Sequence, residues 1–360
     1  MKPPIGSKIV IGMSGGVDSS VAAALLKDQG YDVIGIMLRL WSDHGTQNRC
    51  CAPDDQDQAR YIAGLLSIPF YVIDAQESFY QNVVLPFIDG YAQGSTPNPC
   101  INCNRSIRWS FLLDRAESMG ANYFATGHYA RIRERSNTEF FLLKGSDGSK
   151  DQSYVLHVLT QETLKKTYFP LGELTKTQVR KLAKDYSLPV ADRPDSQDLC
   201  FVGQGDYRDF LRRVNPSLTK PGPIQDLSGT QLGEHDGLFD FTIGQRKGLG
   251  ITGPEPFYVL KKDFQNNTLI VGLKEDLGKD MFIADQINWI SGKKPQQPVK
   301  ANIKIRYKSN EIPGIITPQE GNRVKINLSS SPPDITPGQA AVFYQEDLCL
   351  GGGIIQTETL

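Results

Sequence analysis

The sequence has almost no net charge. Its 39 lysines and arginines are set against 40 acidic residues, a formal net charge of −1 over 360 residues. That excludes a protein-wide basic attraction to nucleic acid, so any polyanion must be met by local patches. Long apolar runs are missing too. None approaches the roughly 18 residues of a membrane span, and Met1 to Lys8 lacks the apolar stretch of a signal peptide. The expectation is a cytoplasmic protein with neither membrane nor DNA among its partners. There is no internal repeat and no low-complexity tail. Apolar residues are 39%, a low share, yet over this length enough for a sizeable core divided among two or three domains. Six cysteines without a signal peptide point to chemistry or metal rather than a disulfide framework.

What is present first is an alternation. Residues 8–13 (KIVIGM) predict a buried strand, Val17 to Gln29 a helix ended by Gly30, and residues 31–41 a second strand. Asp54 to Leu66 reads as a helix and Pro69 to Asp74 as a strand. Glu77 to Tyr91 reads as a helix kinked by Pro86. Gly94 to Asn104 is a loop by composition, Arg105 to Met119 a helix, and Tyr123 to Ala130 a strand. This pattern predicts an α/β fold, a doubly wound parallel sheet covered on both faces. Residues 131–145 read as a hairpin, and Thr175 with Gln178 as a capping box for a helix to Tyr186. The glycine-rich stretch from Pro216 to Gly253 suggests a small central domain. From Phe257 onward, alternation and turns suggest an antiparallel sheet or a small β-barrel. The expected domains are 1–211, 212–277 and 278–360.

The most specific local signal is Gly12-Met13-Ser14-Gly15-Gly16-Val17-Asp18-Ser19, a strand, a glycine turn and a helix start. Glycines let the backbone approach an anion, successive N–H groups point into the turn, and the helix adds its positive end. Ser14 and Ser19 can donate to the same anion, while Asp18 suits magnesium or fixes the loop. A Walker A lysine loop and G-x-G-x-x-G are both absent, which excludes a Walker-type kinase or motor and disfavours a dinucleotide oxidoreductase. An ordinary glycine turn is the competing reading. The motif resembles the SGGxDS signature of the PP-loop ATP pyrophosphatases, of the adenine nucleotide alpha hydrolase-like fold. The resemblance implies cleavage of ATP between the α and β phosphates, transfer of AMP to a substrate oxygen, and displacement of AMP by a nucleophile.

The cysteines favour sulfur as that nucleophile. Replacing an activated oxygen by sulfur needs a carrier, and a cysteine persulfide is a suitable one. Cys103 lies in a proline-rich loop before a predicted helix, whose N-terminus would favour thiolate. Cys200 lies in Asp195-Ser196-Gln197-Asp198-Leu199-Cys200-Phe201. Cys50-Cys51 lacks further ligands at metal spacing, and Cys349 reads as packing.

SGGVDSS, TPNPCINCN, ATGHYARI, KDQSYVL, DSQDLCFV, TIGQRKGLG and IKIRY together, in this order from about residue 8 to 356, resemble the tRNA-specific 2-thiouridylases. The resemblance implies 2-thiolation of the wobble uridine in tRNAs for Lys, Glu and Gln. Carried over by motif, Gly12 to Ser19, Leu38 and Gly127 hold ATP with Mg2+. Cys103 matches the nucleophile and Cys200 the persulfide carrier, with a transient Cys103–Cys200 disulfide. Asn98, Pro99 and Cys100 match the stretch beside the target base. His128, Lys150, Asp151, Gln152, Arg306, Tyr307 and Gln339 match tRNA contacts. The implied partners are the tRNA anticodon stem-loop and a sulfur donor, either a cysteine desulfurase or a sulfur-relay protein. Cys100 stands where many members have Asp. That departure opens a second route, in which Cys100, Cys103 and Cys200 ligate a [4Fe–4S] cluster with one iron open to sulfide.

From Ser291 to Asn310 there are six basic residues, Lys293, Lys294, Lys300, Lys304, Arg306 and Lys308, and no acidic one. On alternating strands several share a face, which suits a phosphate track. Arg131, Arg133 and Arg135 form a smaller patch. Solvated lysine-rich faces are the plainer reading of both. Three other functions stay open at this point: a PP-loop amine or ammonia ligase, a non-catalytic ATP-gated tRNA-binding protein, and a redox or iron–sulfur carrier using Cys100 and Cys103.

Overall fold

The computed structural model describes residues 2–41, 53–136, 138–194, 199–202 and 205–356. Cys50, Cys51 and the stretch 195–198 before Cys200 lie outside the described residues.

The first strands are β1 (Lys8–Gly12), β2 (Asp32–Arg39), β3 (Phe70–Asp74), β4 (Tyr123–Ala125), β5 (Ala130–Ser136), β6 (Glu139–Lys144) and β7 (Thr167–Tyr168). Five of them form a parallel sheet in the order β3-β2-β1-β4-β7. Central β1 is apolar on both faces because both are covered. Ile9 and Ile11 pack with Val21 and Ala24 of the helix Val17–Asp28 and Val179 of the helix Lys176–Asp185. Val10 packs the other way, with Trp109, Leu112 and Ala116. The doubly wound sheet is therefore present.

Two helices differ from expectation. The segment from Gln76 to Ala92 passes through a π turn at Tyr80–Val84 before Leu85–Ala92. The ring of Pro86 would strike the carbonyl of Asn82, and the wider turn moves it aside. The helix carrying Cys103 begins at Pro99 instead of Arg105. Asn98 caps it, its Oδ1 accepting the Cys100 N–H at 3.1 Å, and Pro99 needs no N–H partner in a first turn. Cys100 is thus the cysteine in the first turn, and Cys103 opens the π-helical stretch Cys103–Leu112 one turn further on. β4 also stops at Ala125, well before Ala130.

The middle of the chain holds β8 (Gly222–Gln225), β9 (Gln231–His235), β10 (Tyr258–Asp263) and β11 (Thr268–Gly272), a separate sheet in the order β10-β11-β8-β9. Its core is built from Ile224, Phe241, Val259, Leu269 and Val271. The last strands are β12 (Met281–Trp289), β13 (Val299–Lys304), β14 (Ile312–Pro318), β15 (Val324–Leu328), β16 (Ala340–Gln345) and β17 (Leu348–Ile355). They run β12-β15-β14-β13-β16-β17, and β12–β17 pairing closes a six-stranded barrel. The β5–β6 hairpin adds to the same sheet through β17, with Leu348 opposite Leu143 and Cys349 opposite Leu142. Local periodicity identifies the hairpin but not its distant partner. Cys349 is wholly buried there, and burial pushes its thiol far up.

Candidate active site

The phosphate loop follows β1 at the centre of the parallel sheet. Met13 N–H donates to the Ile36 carbonyl at 2.7 Å, which ties the loop to β2. Gly15 has φ +71, the left-handed turn that glycine allows, and a β-carbon there would stand 2.7 Å from the Asp55 carbonyl oxygen. Ser14 N–H donates to Ser19 Oγ at 3.1 Å, and the two serine hydroxyls lie 3.3 Å apart. Both hydroxyls can therefore serve one anion at the start of the helix Val17–Asp28. Gly127, after β4, backs the loop closely: its β-carbon would lie 2.8 Å from Ser19 N.

Four residues that local motifs did not reveal complete this region. Lys176 Nζ lies 2.7 and 2.8 Å from the two carboxylate oxygens of Asp18. The Tyr129 hydroxyl donates to Asp18 Oδ1 at 2.7 Å. Arg193 donates to the Gly15 carbonyl at 3.0 Å and pairs with buried Asp55. Lys176 is the first helical residue after the Thr175 cap, so the capping box that sequence reveals delivers a cation that it does not. A cavity of about 530 Å³ opens beside this pair, lined by Asp54, Gln58, Pro189 and Val190 among others.

Cys103 and Cys200 pack against one aromatic cluster that includes Phe79, Phe87, Phe201 and Phe210. Leu38, at the end of β2, packs against it as well. Rings meet within it at 5.3 Å for Phe87–Phe201 and 5.4 Å for Phe201–Phe210. The structure thus seats two cysteines almost a hundred positions apart against one apolar cluster, which Leu38 joins to the end of β2. Cys100 is exposed.

The residues expected to touch tRNA divide by geometry. His128 is buried, with Nδ1 2.7 Å from Thr126 Oγ1 and its ring 5.5 Å from that of Trp109. Burial, then the nearby Arg108 charge, holds its imidazole well below the ordinary range. Asp151 is also buried and accepts the Gly145 N–H, the Ser153 N–H and the Ser153 hydroxyl at 3.0, 3.0 and 2.8 Å. Gln152 brackets Tyr129, accepting its N–H at 3.0 Å and donating its own to the Tyr129 carbonyl at 2.9 Å. Lys150 closes a turn on the Asp147 carbonyl. Tyr307 lies against Tyr154, with centroids 5.9 Å apart. Burial raises its phenol pKa, and the charges of Asp151 and Cys100 raise it further. Arg306 and Gln339 bond to protein groups at the junction of the three segments. Lys300 and Lys304 alternate with inward Ala301 and Ile303 on β13, so they share the outer face of the barrel.

Residues 7–204 match the family model described as the tRNA methyl transferase HUP domain. Residues 208–273 match its PRC-barrel domain, and 279–355 the aminomethyltransferase β-barrel domain. A tRNA-specific 2-thiouridylase of Geotalea uraniireducens is 46% identical over 97% of this chain and 95% of its own. Those of Thermoanaerobacter sp. and Natranaerobius thermophilus are each 44% identical, over 98% and 99% of both chains. The chain belongs to the tRNA-specific 2-thiouridylase family. The words methyl transferase belong to the model's description, whereas each of these full-length relatives is a thiouridylase. A solved 4-thiouridine synthetase–RNA complex with bound ATP aligns over 59% of this chain and 52% of its own at 17% identity. Its TM-score is 0.38, a likeness too slight to argue from.

As a 2-thiouridylase, the chain has a phosphate loop whose donors fit ATP. The cluster ligand set fits less well. Among the described residues no three of the His, Cys, Asp and Glu side chains gather to hold a metal ion, and Cys100, Cys103 and Cys200 are all described. No helix among them is long and apolar enough to cross a membrane.

Proposed function

We propose that the chain is an ATP-dependent tRNA-uridine 2-sulfurtransferase acting on the wobble uridine of tRNAs for Lys, Glu and Gln. The observation that carries this reading is the seating of Cys103 and Cys200 against one aromatic wall that also takes Leu38 from the end of β2. An amine or ammonia ligase would need neither thiol, and a non-catalytic binder would need no such pair.

ATP lies along Gly12–Ser19, with Leu38 and Gly127 beside the nucleotide. Mg2+ arriving with ATP would screen the phosphates, while Asp18, bonded to Lys176 and Tyr129, fixes the loop. The uridine, out of its stack, reaches the Asn98–Cys100 stretch, because its O2 has to meet the α-phosphate. O2 attacks that phosphorus and pyrophosphate leaves. The outer sulfur of a Cys200 persulfide then attacks C2, and AMP departs with the former O2. Cys103 thiolate attacks the Cys200 sulfur and breaks the S–S bond. 2-Thiouridine is released and a Cys103–Cys200 disulfide remains, to be reduced by an external dithiol. The apolar wall keeps water from the persulfide and from the adenylated base. No step runs through an iron–sulfur cluster.

The parts divide as 1–211 for nucleotide and sulfur chemistry, 212–277 and 278–360 for tRNA. The anticodon stem-loop crosses the Lys300 and Lys304 face, and a cysteine desulfurase or relay protein loads Cys200. A cytoplasmic setting suits a tRNA substrate and thiols that must be re-reduced. The test is one anaerobic reaction of the protein with ATP, Mg2+, sulfur-free tRNA and a cysteine desulfurase with L-cysteine, which hands over sulfur already at the persulfide level, beside Cys200→Ser. Thiouridine and AMP from the wild type, without thiouridine from the variant, is the expected result. Thiouridine from both removes Cys200 from the reaction. Neither product, with tRNA still bound, favours a non-catalytic protein.

A further inference from the structure

Two distant segments of the chain close on the same three residues. Gly94 lies under the ring of Phe264, just past β10, so closely that a β-carbon would collide with it. Gly338, at φ +88, presses on the next two positions, where its β-carbon would stand 2.8 Å from Ser95 Cβ and from Thr96 N. The Thr96 N–H donates to the Pro337 carbonyl at 2.8 Å. Gln339 Nε2 donates to the Thr96 carbonyl at 2.6 Å. The barrel turn 337–339 therefore holds both backbone groups of Thr96.

That turn is itself fixed. Gly338 N–H bonds to the Ile355 carbonyl, and Ile355 N–H to the Gln339 carbonyl, both at 2.9 Å. Arg306 bonds to the Thr336 hydroxyl, lies 3.3 Å from Asp334, and donates to the Ile243 carbonyl of the middle segment at 3.2 Å. On the other side, Ser95 Oγ donates to the Gly90 carbonyl at 2.9 Å. Two residues after Thr96, Asn98 caps the helix that carries Cys100 and Cys103.

We propose that Gly338 and Gln339 are positioning residues for the sulfur-transfer helix, acting as a strap across Thr96. The proposal rests on the reading above that the Asn98–Cys103 stretch receives the target base. Without the strap, the Thr96 N–H and C=O turn to water, and the start of the helix pivots. Placement of reacting groups to within about 1 Å governs such steps, so turnover falls while tRNA, held elsewhere, still binds. A direct tRNA contact by Gln339 would produce the opposite pattern.

The test uses Gln339→Met, which keeps the length and removes the donor, and Gly338→Ala, which displaces the turn independently. Three quantities are read: the tRNA Kd, the single-turnover thiolation rate at saturating tRNA, and backbone amide exchange across residues 95–103 without tRNA. The strap requires a rate loss of roughly tenfold, a Kd within about twofold of wild type, and faster exchange at Thr96. Any other combination overturns it; a weakened Kd with unchanged exchange would make Gln339 a tRNA contact. If Gly338→Ala does not fold, Gln339→Met decides alone. If the wild type makes no thiouridine, the sulfurtransferase reading fails separately, and the exchange measurement still decides whether the strap holds Thr96.

Discussion

Gly127 lies so close to Asp18 that a β-carbon on it would stand 2.8 Å from the Asp18 carbonyl carbon. The contact is backbone on backbone, so no side-chain rotation relieves it. The end of β4 thus sets the position of the peptide from which the phosphate loop turns into its helix.

Gly127→Ala accordingly pushes the Asp18–Ser19 peptide off its place. ATP binding weakens by at least about tenfold, while tRNA binding changes little. Titration with a non-hydrolysable ATP analogue, beside tRNA binding by filter retention, checks both halves. Equal affinity for the analogue would show that the loop has room to shift.

Lys176 neutralises Asp18 inside a loop built for anions. Lys176→Met leaves that carboxylate facing the incoming phosphates, and the Kd for ATP rises roughly tenfold to a hundredfold. Tyr129→Phe removes one neutral donor from the same carboxylate and has a smaller effect. Calorimetric titration of both variants with the analogue and Mg2+ orders them. An unchanged Kd for Lys176→Met would reduce the pair to a structural tether.

The three cysteines should separate by reaction step. Cys103→Ser and Cys200→Ser abolish thiouridine and retain adenylation of tRNA, because that step needs neither thiol. Cys100→Ser keeps thiolation within about tenfold on the persulfide route. Loss of thiouridine in all three variants, with iron and broad absorbance in the anaerobically reconstituted wild type, would favour the cluster route instead.

Acid should destabilise the fold through two histidines. His157 is fully buried, donating Nδ1–H to the Tyr154 carbonyl at 2.7 Å, and burial holds it down at about 4. His128 is held low for the same first reason. An unfolded chain takes up these protons as the pH falls below 6.5, the ordinary value, whereas the folded chain refuses them. Stability is therefore complete above 6.5 and declines towards pH 4, by about 3 kcal/mol from His157 alone. Urea midpoints at neutral and acid pH measure the slope, and His157→Gln should flatten it.

The phosphate loop and the cysteine motifs were legible because each is a contiguous string with its own chemistry. Lys176 and Arg193 were not, since their partners Asp18 and Gly15 lie far away along the chain and only the folded sheet joins them. The start at Pro99 was encoded after all, by Asn98 as cap and proline in the first turn, but the surrounding Thr-Pro-Asn-Pro composition reads as loop. π turns leave no local pattern, so Tyr80–Val84 and Cys103–Leu112 appear only in three dimensions. Burial of His128 and Asp151 was equally hidden, because polar residues in a motif look alike whether they face solvent or the core.

The pairing of the β5–β6 hairpin with β17 gives the chain a history as well as a shape. During synthesis the hairpin leaves the ribosome long before Leu348 and Cys349 exist, so one edge of β6 waits without its strand. The opposite edge belongs to β5, where Arg131, Arg133, Glu134 and Arg135 discourage pairing with another chain. No such guard stands along Phe140 to Leu143. A chain cut before the barrel would keep that apolar edge open for its lifetime.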